Sequence, residues 1–411
     1  MLIGVSDVFI AGKHSTQYLA AVGLATGVIA PVFVVGLGFL FGTSPIISRH
    51  RGEGQDVDQY LFTSIIYSVF TSVIFIACCI ATIPVVPYLG FDQELVPLIQ
   101  DYIFYFSFSF LGAYVFQALR EYLQGKEDIL FANILSILTV GINLLFCFAL
   151  VFGYSFIPAL GIKGLAIGSI LARCLAALAL LFYCIRHLKD FHFYKSYARD
   201  VFCLSWPIAF GILVEVGAFS ATTILIGRMG VLQAAAHNIV LNLASVTFMV
   251  PLAISTAISV KISFSYGQKV WSDIVRFTKA GYILSVLFMC CTGMAFYFVP
   301  NLFSSIFTAD PEVMKIAALL LFAVALFQVF DGTQVCLGGA LRGVGRTRPQ
   351  ALVMFCGYWL VGLPLGWYLS SVKGMQAYGL WLGLALALFF AGLSMGVILL
   401  YIYRQVKLEI A

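Results

Sequence analysis

Residues 201–227 read VFCLSWPIAFGILVEVGAFSATTILIG, an apolar run broken by a single carboxylate, Glu215. A helix rises about 1.5 Å per residue, so a run of about 20 residues crosses the roughly 30 Å hydrocarbon core of a bilayer. Strands of a membrane barrel alternate in polarity and are about half as long, which excludes them here. The run therefore predicts a membrane-spanning helix that carries a charge at bilayer depth.

Runs of the same kind recur along all 411 residues, of which 62% are apolar and 10% are charged, with a mean hydropathy of +1.03. This composition exceeds what a water-soluble domain tolerates. We predict an all-α polytopic membrane protein of twelve transmembrane helices in two six-helix bundles, with the first helix truncated at its N-terminus. The predicted helices span residues 1–12, 18–48, 59–85, 95–119, 129–153, 163–186, 201–227, 234–263, 275–299, 311–341, 350–371 and 376–403.

The placement of lysine and arginine predicts the orientation. Seventeen of them fall in one alternate set of connections, whereas the other set holds four, Lys13, Lys163, Arg228 and Lys373. Basic residues concentrate on the cytoplasmic side of membrane proteins, so the richer set and both termini of the complete fold are predicted to be cytoplasmic. The net charge of +5 then reflects topology and not nucleic-acid binding. The richer set comprises 49–58, 120–128, 186–199, 261–279, 342–348 and the tail 404–411.

Internal repetition predicts two lobes. An offset of 215 residues pairs Gly12 with Gly227 and Gly52 with Gly267, without a gap. Two halves of six helices each share one topology and place a binding site at their interface. The predicted divisions are an N-terminal lobe at 1–186, a cytoplasmic linker at 187–199 and a C-terminal lobe at 200–411.

The same offset places the start of the first helix ahead of the chain. Helix 7 begins near Asp200 or Trp206, and the latter position maps to about ten residues before Met1. We therefore expect a longer native N-terminus. A secretory signal peptide is not expected, because no basic leader or small-residue cleavage site precedes the apolar run.

Several segments carry a family likeness. They are VEVGAFSATTILIGRMGVLQAAAHNIVLNLASVTFMVPLAIS (214–255), FQVFDGTQVCLGGALRGVGRTR (327–348), YWLVGLPLGWYL (358–369), GVSDVFIAG (4–12), LAAVGL (19–24) and GLGFLFGTSPIISRHRGEG (36–54). Together they resemble the MATE (multidrug and toxic compound extrusion) transporters, nearest the NorM-like branch. The resemblance spans essentially the whole chain. It implies a twelve-helix, two-lobed antiporter that exports cationic amphiphiles against inflowing sodium ions or protons.

The resemblance also assigns residues. It places the family's three membrane carboxylates at Asp7, Glu215 and Asp331. Two positions depart from similar NorM proteins: Phe327 replaces a tyrosine near the cation, and an asparagine pair spaced by four appears as Asn143 and Cys147. Both changes remove an oxygen ligand. They weaken the case for a sodium site built as in those relatives and favour protons.

Glu215 and Asp331 are predicted to form an exchange pair. They lie 15 and 11 residues from the predicted cytoplasmic helix ends at Asp200 and Arg342, or about 22 and 16 Å deep. An intramembrane charge costs roughly 2.5–3.5 kcal/mol on insertion scales, so such residues usually serve transport. Two carboxylates in a low-dielectric cavity do not both ionise at low cost unless a cation lies between them. The pair would bind a proton or Na⁺ and exchange it for a cationic drug.

Asp7 and Arg173 are the other deep charges, and two explanations remain open for each. The protonation of Asp7 would bias outward-open against inward-open states, or the carboxylate is structural and bonded to hydroxyls such as that of Ser6 or to helix 2. Arg173 either neutralises a carboxylate or contacts an anionic lipid, or it is a snorkelling or carbonyl-paired structural arginine. Arg173 is not part of the predicted site.

Neutral polar residues complete the prediction. Asn143 and Gln334 join the cation and substrate site, although interhelical hydrogen bonding explains such residues equally well. His237 is expected to be a satisfied hydrogen-bonding residue and not a proton relay. Pro31 is a candidate hinge, because proline removes a helical hydrogen bond and permits bending.

Other function classes lack their motifs. The ten cysteines lie in or at the ends of apolar helices without CxxC spacing, and GxxxxGK[ST] and HExxH are absent from the sequence. No enzyme activity, cofactor or nucleotide-driven pump is expected. A lipid-linked precursor or polysaccharide flippase is the alternative function, but its anionic substrate would need a cavity rich in arginine and lysine.

The sequence therefore predicts a secondary active multidrug efflux transporter that works by alternating access of two lobes. H⁺ or Na⁺ is the predicted coupling ion, and no other cofactor is expected. The predicted partners are small cationic drugs or toxic metabolites and membrane lipids, without nucleic acid. We expect a monomer in the bacterial plasma (inner) membrane.

Overall fold

The computed structural model describes residues 2–153, 158–308 and 310–410. All regular secondary structure in these ranges is helical. The α-helices are α1 Leu2–His14, α2 Thr16–Gly38, α3 Thr43–Gly52, α4 Leu61–Ile80, α5 Val96–Ser107, α6 Ser109–Gly125, α7 Leu130–Phe152, α8 Ile162–Cys184, α9 Lys195–Gly227, α10 Val231–Gly267, α11 Trp271–Phe298, α12 Pro300–Ser305, α13 Pro311–Gly343, α14 Arg348–Phe355, α15 Leu363–Trp367 and α16 Gln376–Ile410. Short 3-10 helices lie at Val57–Tyr60, Ile83–Leu89 and Ile185–His187, and π-helical segments lie at Cys356–Gly362 and Tyr368–Val372.

Eleven spans of the described chain are long and apolar enough to cross a membrane. Together with the 13-residue α1, they correspond one to one with the twelve predicted runs, and the predicted fold class is confirmed. Met1, which the first predicted run includes, lies outside the described residues. Some helices are longer than predicted: α9 begins at Lys195 and α10 ends at Gly267. Polar residues at these ends extend the helical hydrogen bonding beyond the apolar core.

The second predicted run, 18–48, is two helices. α2 continues through Pro31 to Gly38, and a turn at 39–42 separates it from α3. The Phe39 N–H bonds to the carbonyls of Gly36 and Leu37, which closes the helix. The interruption therefore lies about two turns after the proline. The hinge role of Pro31 stays a prediction.

The chain divides into two compact units. The first comprises Met1–Ile47 and Asp56–Ala209, and the second comprises Ser48–Gln55 and Phe210–Ala411. Two of the three boundaries fall inside helices, one in α3 and the other in α9, and the third lies in the connection after α3. The lobe boundaries derived from the sequence stay a prediction.

In the first unit, glycines bring α6, α7 and α8 close together. A Cβ on Gly112 would lie 2.7 Å from the backbone nitrogen of Cys174, and a Cβ on Gly168 would lie 2.9 Å from that of Cys147. Real Cβ atoms do not approach so closely, so only glycine fits at these two positions. Backbone contact of this kind is how membrane helices pack at short range. It sets the positions of the side chains that surround Asp7.

In the second unit, α10, α11, α13 and α16 surround one apolar core that contains Trp381 and Phe327. The end of α3 packs against the end of α10 in the same unit. A Cβ on Gly52 would meet the carbonyl oxygen of Phe264, and one on Gly267 would meet that of Arg49. The offset of 215 residues relates these two contacts to each other, which supports the internal repeat.

Candidate functional site

The two membrane carboxylates of the second unit, Asp331 and Glu215, have no countercharge among the described residues. Asp331 on α13 is 2% exposed, and its Oδ1 atom has no hydrogen-bond partner. Glu215 on α9 is half-buried and close enough for its charge to act on Asp331. Neither forms an ion pair with a lysine, arginine or histidine of the described chain. A buried ionised carboxylate without a partner is costly, so this pair has a strong drive to acquire a cation.

Two neutral oxygens lie with this pair and are also unpartnered. The Tyr358 hydroxyl lies beside Glu215, within electrostatic reach of Asp331, but completes no hydrogen bond. Gln334 follows Asp331 by three residues, which is nearly one turn of α13. Its Nε2 atom donates to the Met354 Sδ atom at 2.9 Å, and its Oε1 atom has no partner. Buried polar groups are hydrogen-bonded in the great majority of cases, so three unpartnered oxygens in one cluster mark a place for a ligand.

A π-helical segment carries Tyr358. Cys356–Gly362 winds more widely than an α-helix, and such segments occur frequently at functional sites. The next residue, Trp359, donates from Nε1 to the carbonyl oxygen of Val214 at 3.0 Å. Val214 directly precedes Glu215. This bond fixes the π segment against α9 at the level of the carboxylate.

Aromatic rings surround the pair. Phe327 lies one turn before Asp331 on α13, and Phe219 lies one turn after Glu215 on α9. The Phe327 ring contacts Phe219 and Trp381 edge-on, with centroids 6.1 and 5.5 Å apart. An apolar wall strengthens every charge interaction inside it and offers π faces to an organic cation.

His237 is bonded through both ring nitrogens. The Trp381 indole N–H donates to its Nδ1 atom at 3.2 Å, and its Nε2 atom lies 2.9 Å from the Thr223 hydroxyl. That hydroxyl donates to the carbonyl oxygen of Phe219, so it accepts from Nε2–H. The ring is therefore a neutral tautomer with a fixed orientation. It anchors Trp381, as expected for a hydrogen-bonding residue.

Asp7 occupies a different environment in the first unit. It is 1% exposed, and three side chains from three helices donate to it. The Ser169 hydroxyl lies 2.9 and 3.1 Å from its two oxygens, the Tyr102 hydroxyl 3.3 Å from Oδ2, and the Cys147 thiol 3.5 Å from Oδ1. An acceptor surrounded by donors is stabilised as a carboxylate.

Asn143 supports this arrangement from α7. Its Nδ2 atom donates to the Ser169 hydroxyl at 2.9 Å and lies 3.4 Å from the Cys147 thiol. Asn143, Ser169 and Asp7 form a chain of hydrogen bonds that all run toward the carboxylate. Bonds that run in one direction polarise one another and hold the acceptor in place.

Arg173 lies one turn beyond Ser169 on α8 and is 9% exposed. Its Nη1 atom donates to the Ser109 hydroxyl at 2.8 Å. The guanidinium carbon lies 5.0 Å from the ring centre of Phe33 and 4.8 Å from that of Phe106. Its positive charge acts on Asp7. It acts through its electric field and not through a direct ion pair with the carboxylate.

The predicted site residues therefore form two groups. Phe327 and Gln334 share a helix with Asp331, as their spacing indicates, whereas Asn143 lies with Asp7. Sequence analysis missed Tyr102, Ser169 and Tyr358. The spacing of four between Ser169 and Arg173 placed both on one helix face, but nothing in the spacing identified the carboxylate that they meet. Among the described residues, no group of three or more His, Cys, Asp or Glu side chains is arranged to hold a metal ion.

A family model supplies the identification. The MatE model matches residues 1–149 and 207–368, which together are more than half of the chain. The chain belongs to the MatE family. Membership places it among transporters and not among enzymes, as a multi-pass membrane protein.

Two curated MatE relatives match nearly the whole chain. The probable multidrug resistance protein NorM of Agrobacterium fabrum is 28% identical over 430 residues, which cover 98% of this chain and 91% of the relative. The protein of the same name from Photorhabdus laumondii is 28% identical over 419 residues, which cover 98% and 90%. The resemblance stated from the sequence segments is confirmed.

Solved MATE structures share the fold. The Vibrio cholerae MATE transporter VcmN in its bent form superposes with a TM-score of 0.89 at 17% identity, covering 99% of this chain and 93% of its own. The eukaryotic MATE transporter AtDTX14 gives 0.87 at 18% identity, covering 100% and 94%. This similarity extends over the entire twelve-helix architecture.

Proposed function

We propose that the chain is a multidrug efflux antiporter that exports cationic amphiphilic compounds and exchanges them for H⁺ or Na⁺ by alternating access. The names of the NorM relatives support the class of cargo. The exchange step is assigned to Glu215 and Asp331. One observation carries this assignment: a buried carboxylate pair without a countercharge, within aromatic walls, has to take up a cation and can take up either of two kinds.

The coupling ion binds where the unpartnered oxygens gather. Glu215 and Asp331 supply carboxylate oxygens, and Tyr358 and Gln334 supply neutral ones. Hard cations take oxygen ligands of this kind, and a proton neutralises the same pair at one carboxylate. Tyr358 also changes the conclusion from position 327, because a hydroxyl absent from α13 is present on the π segment. Na⁺ is thereby retained beside H⁺ as a coupling ion.

The cationic drug competes for the same charge. Phe327, Phe219 and Trp381 offer apolar and π surface to an organic cation, and the carboxylate pair offers the negative charge. A bound drug and a bound coupling ion both neutralise the pair, so each weakens the binding of the other. This reciprocity is the thermodynamic basis of antiport.

The distribution of lysine and arginine among the connections supports a cellular location and an orientation. The proposed location is the bacterial plasma membrane, with both termini in the cytoplasm and with lipids as the surrounding partners. The transporter acts as a monomer. A flippase for lipid-linked precursors is disfavoured, because in the described second unit the carboxylate pair has no lysine or arginine beside it to hold an anionic pyrophosphate.

Ethidium efflux from dye-loaded right-side-out membrane vesicles tests the proposal under an imposed proton gradient, an imposed sodium gradient, or neither. We expect efflux that depends on one or both gradients and is lost in Glu215→Gln. Glu312→Gln is the matched control, because it removes an exposed carboxylate at the start of α13. Efflux that is indifferent to both ions contradicts the antiport assignment.

A further inference from the structure

Two helices of the second unit meet through long side chains. Gln334 on α13 contacts Met354 on α14, and one turn farther along α13 a Cβ on Gly338 would lie 2.5 Å from the Nε2 atom of Gln350. Higher residue numbers on α13 meet lower numbers on α14, so the two helices run antiparallel here. The α13–α14 seam is the line where these side chains meet, with Asp331, Gln334 and Gly338 on one side and Gln350, Met354 and Tyr358 on the other.

The seam concentrates buried oxygens that have no hydrogen-bond partner. Among the described residues, eight buried side-chain polar atoms lack a partner, and four of them belong to the seam: Asp331 Oδ1, Gln334 Oε1, Gln350 Oε1 and the Tyr358 hydroxyl. Asp331, Gln334 and Tyr358 are at most 3% exposed. The Nε2 atom of Gln334 donates only to a thioether, which is a weak acceptor. An unpaired polar group at membrane depth is costly, so the seam has a strong drive to acquire donors.

The spacing of these oxygens suits a chain of water molecules. Asp331, Gln334 and Gly338, which marks the level of Gln350, follow one another on α13 at three and four residues, or rises of about 4.5 and 6 Å. One water that donates two hydrogen bonds of about 2.8 Å bridges acceptors about 5 Å apart. Carbonyl and carboxylate oxygens cannot donate to one another. Water or a small cation satisfies such a row, because either presents positive charge to every oxygen.

We propose that the α13–α14 seam is a water-filled route inside the second unit, through which the coupling cation passes between Asp331 and the cytoplasmic end of α13. The direction follows from the proposed orientation, in which α13 ends at Gly343 on the cytoplasmic side. The route rests on the proposed antiport and deepens it. Phe327 and its aromatic neighbours lie one turn to the other side of Asp331. The coupling ion therefore leaves the carboxylates without crossing the aromatic surface that receives the organic cation.

Hydroxyl-radical footprinting detects this water in the wild-type protein. A short X-ray pulse forms radicals from water, and mass spectrometry measures the oxidation of each methionine. Met354 is 2% exposed, and Met289 on α11 and Met395 on α16 are each 0% exposed. We expect Met354 to be oxidised several-fold faster than both, because its Sδ atom borders the seam. Equal rates for the three methionines overturn the proposal, and this comparison needs no variant that might fail to fold.

Gln350→Leu removes one oxygen of the route without touching either carboxylate. It should lower the oxidation of Met354, one turn away on α14, several-fold, whereas Gln350→Glu keeps an oxygen and should retain the wild-type rate. In dye-loaded right-side-out vesicles, Gln350→Leu should slow gradient-driven ethidium efflux by about 2–10-fold, the factor for one lost hydrogen bond. The affinity for ethidium should not change. Gln268→Leu makes the same change at an exposed position of the same unit and is the matched control.

Two results with folded Gln350→Leu overturn the route. Oxidation of Met354 at the wild-type rate shows that no water runs between Gln350 and Met354. Efflux at the wild-type rate shows that the ion leaves elsewhere. Either result leaves the gradient dependence of the wild type intact, so the proposed antiport stands. If wild-type vesicles show no ion-driven efflux, the antiport fails and the passage of the cation fails with it, while the oxidation of Met354 still decides whether the seam holds water.

Discussion

Two membrane carboxylate sites differ in their surroundings. In the first unit, Asp7 accepts hydrogen bonds from Ser169, Tyr102 and Cys147 and lies in the field of Arg173. In the second unit, the Oδ1 atom of Asp331 has no hydrogen-bond partner, and the charge that acts on this residue is the like charge of Glu215. The first carboxylate is satisfied by the protein, whereas the second is not.

The donors around Asp7 already stabilise part of its charge, because each hydrogen bond to an ionised carboxyl favours the charged form. A buried carboxylate pair with fewer donors has more to gain from a bound cation. The partners of a membrane carboxylate, and not its depth alone, therefore indicate how much it would gain from a cation.

The largest expected effect tests the unsatisfied pair. Asp331→Asn should remove the coupling between ion and drug, which is typically worth about 5–150-fold in affinity. The substitution should leave the unfolding midpoint unchanged or raise it, because it removes an unpartnered buried charge. Gradient-driven ethidium efflux and thermal unfolding in detergent measure the two quantities, with Glu312→Gln on the same helix as the control. Full gradient dependence in Asp331→Asn would place the exchange elsewhere.

The next effect tests the satisfied carboxylate. Ser169→Ala removes the hydroxyl that donates to both oxygens of Asp7, and hydrogen bonds to charged groups contribute about 1.5–3 kcal/mol, less in membranes. We expect a lower free energy of unfolding by about 1.5 kcal/mol. The measurement is denaturant unfolding in a fixed detergent. An unchanged unfolding curve would mean that the first site is no better satisfied than the second.

Removal of a hydroxyl from the second site should affect ion dependence and not stability, unlike Ser169→Ala in the first site. Tyr358→Phe deletes a group that has no hydrogen bond, so stability should hold while the coupling ion loses a ligand. A hydrogen bond contributes about 0.5–1.5 kcal/mol, so the ion concentration for half-maximal efflux should rise by about 2–10-fold. Phe327→Tyr in the same background restores a hydroxyl one turn from Asp331 and should recover part of the loss. An ion dependence that both variants share with the wild type would remove Tyr358 from the ligand set.

The smallest expected effect on stability comes from an ion pair at the protein surface. Lys189 donates to the exposed Asp56 at 2.8 Å, and this hydrogen bond lowers the pKa of the Asp56 carboxyl below its ordinary value. A carboxyl whose pKa is lowered in the folded protein stabilises the fold at every pH above its ordinary pKa. This stabilisation is lost as the pH falls through the pKa of the folded protein. The contribution of the Asp56 carboxyl to the free energy of unfolding should therefore not change with pH above about pH 5. Lys189→Met should not measurably change the unfolding midpoint, because exposed ion pairs contribute little. A clear drop in the midpoint would mean that charges at the surface matter as much as those in the two sites.

Much of the candidate site was predictable from helical spacing. Phe327 and Gln334 lie four residues before and three after Asp331, and residues at such spacings share one helix face. Their place beside Asp331 therefore follows from local geometry. The donors to Asp7 were not predictable in this way. The explanation from the sequence proposed Ser6 or helix 2, whereas Tyr102, Cys147 and Ser169 come from α5, α7 and α8.

The Tyr358 hydroxyl shows the same limit. The sequence indicated a missing oxygen at Phe327, which favoured protons over Na⁺. The Tyr358 hydroxyl lies on a different segment, the π-helical stretch Cys356–Gly362. No sequence spacing rule predicts the direction of a side chain on a π-helical segment. A ligand lost from one helix and available on another is visible only after the helices are packed.

The sequence by itself determined the twelve membrane helices, their all-α class and the three carboxylates that lie among apolar residues. These features depend on local composition, because the cost of placing a charge or an unpaired backbone group in a bilayer is a property of each segment. Only the tertiary structure decided which carboxylate is surrounded by hydrogen-bond donors and which has an oxygen without a partner. That outcome depends on contacts between helices distant in sequence. A shift of one helix by one turn would place different side chains beside each carboxylate.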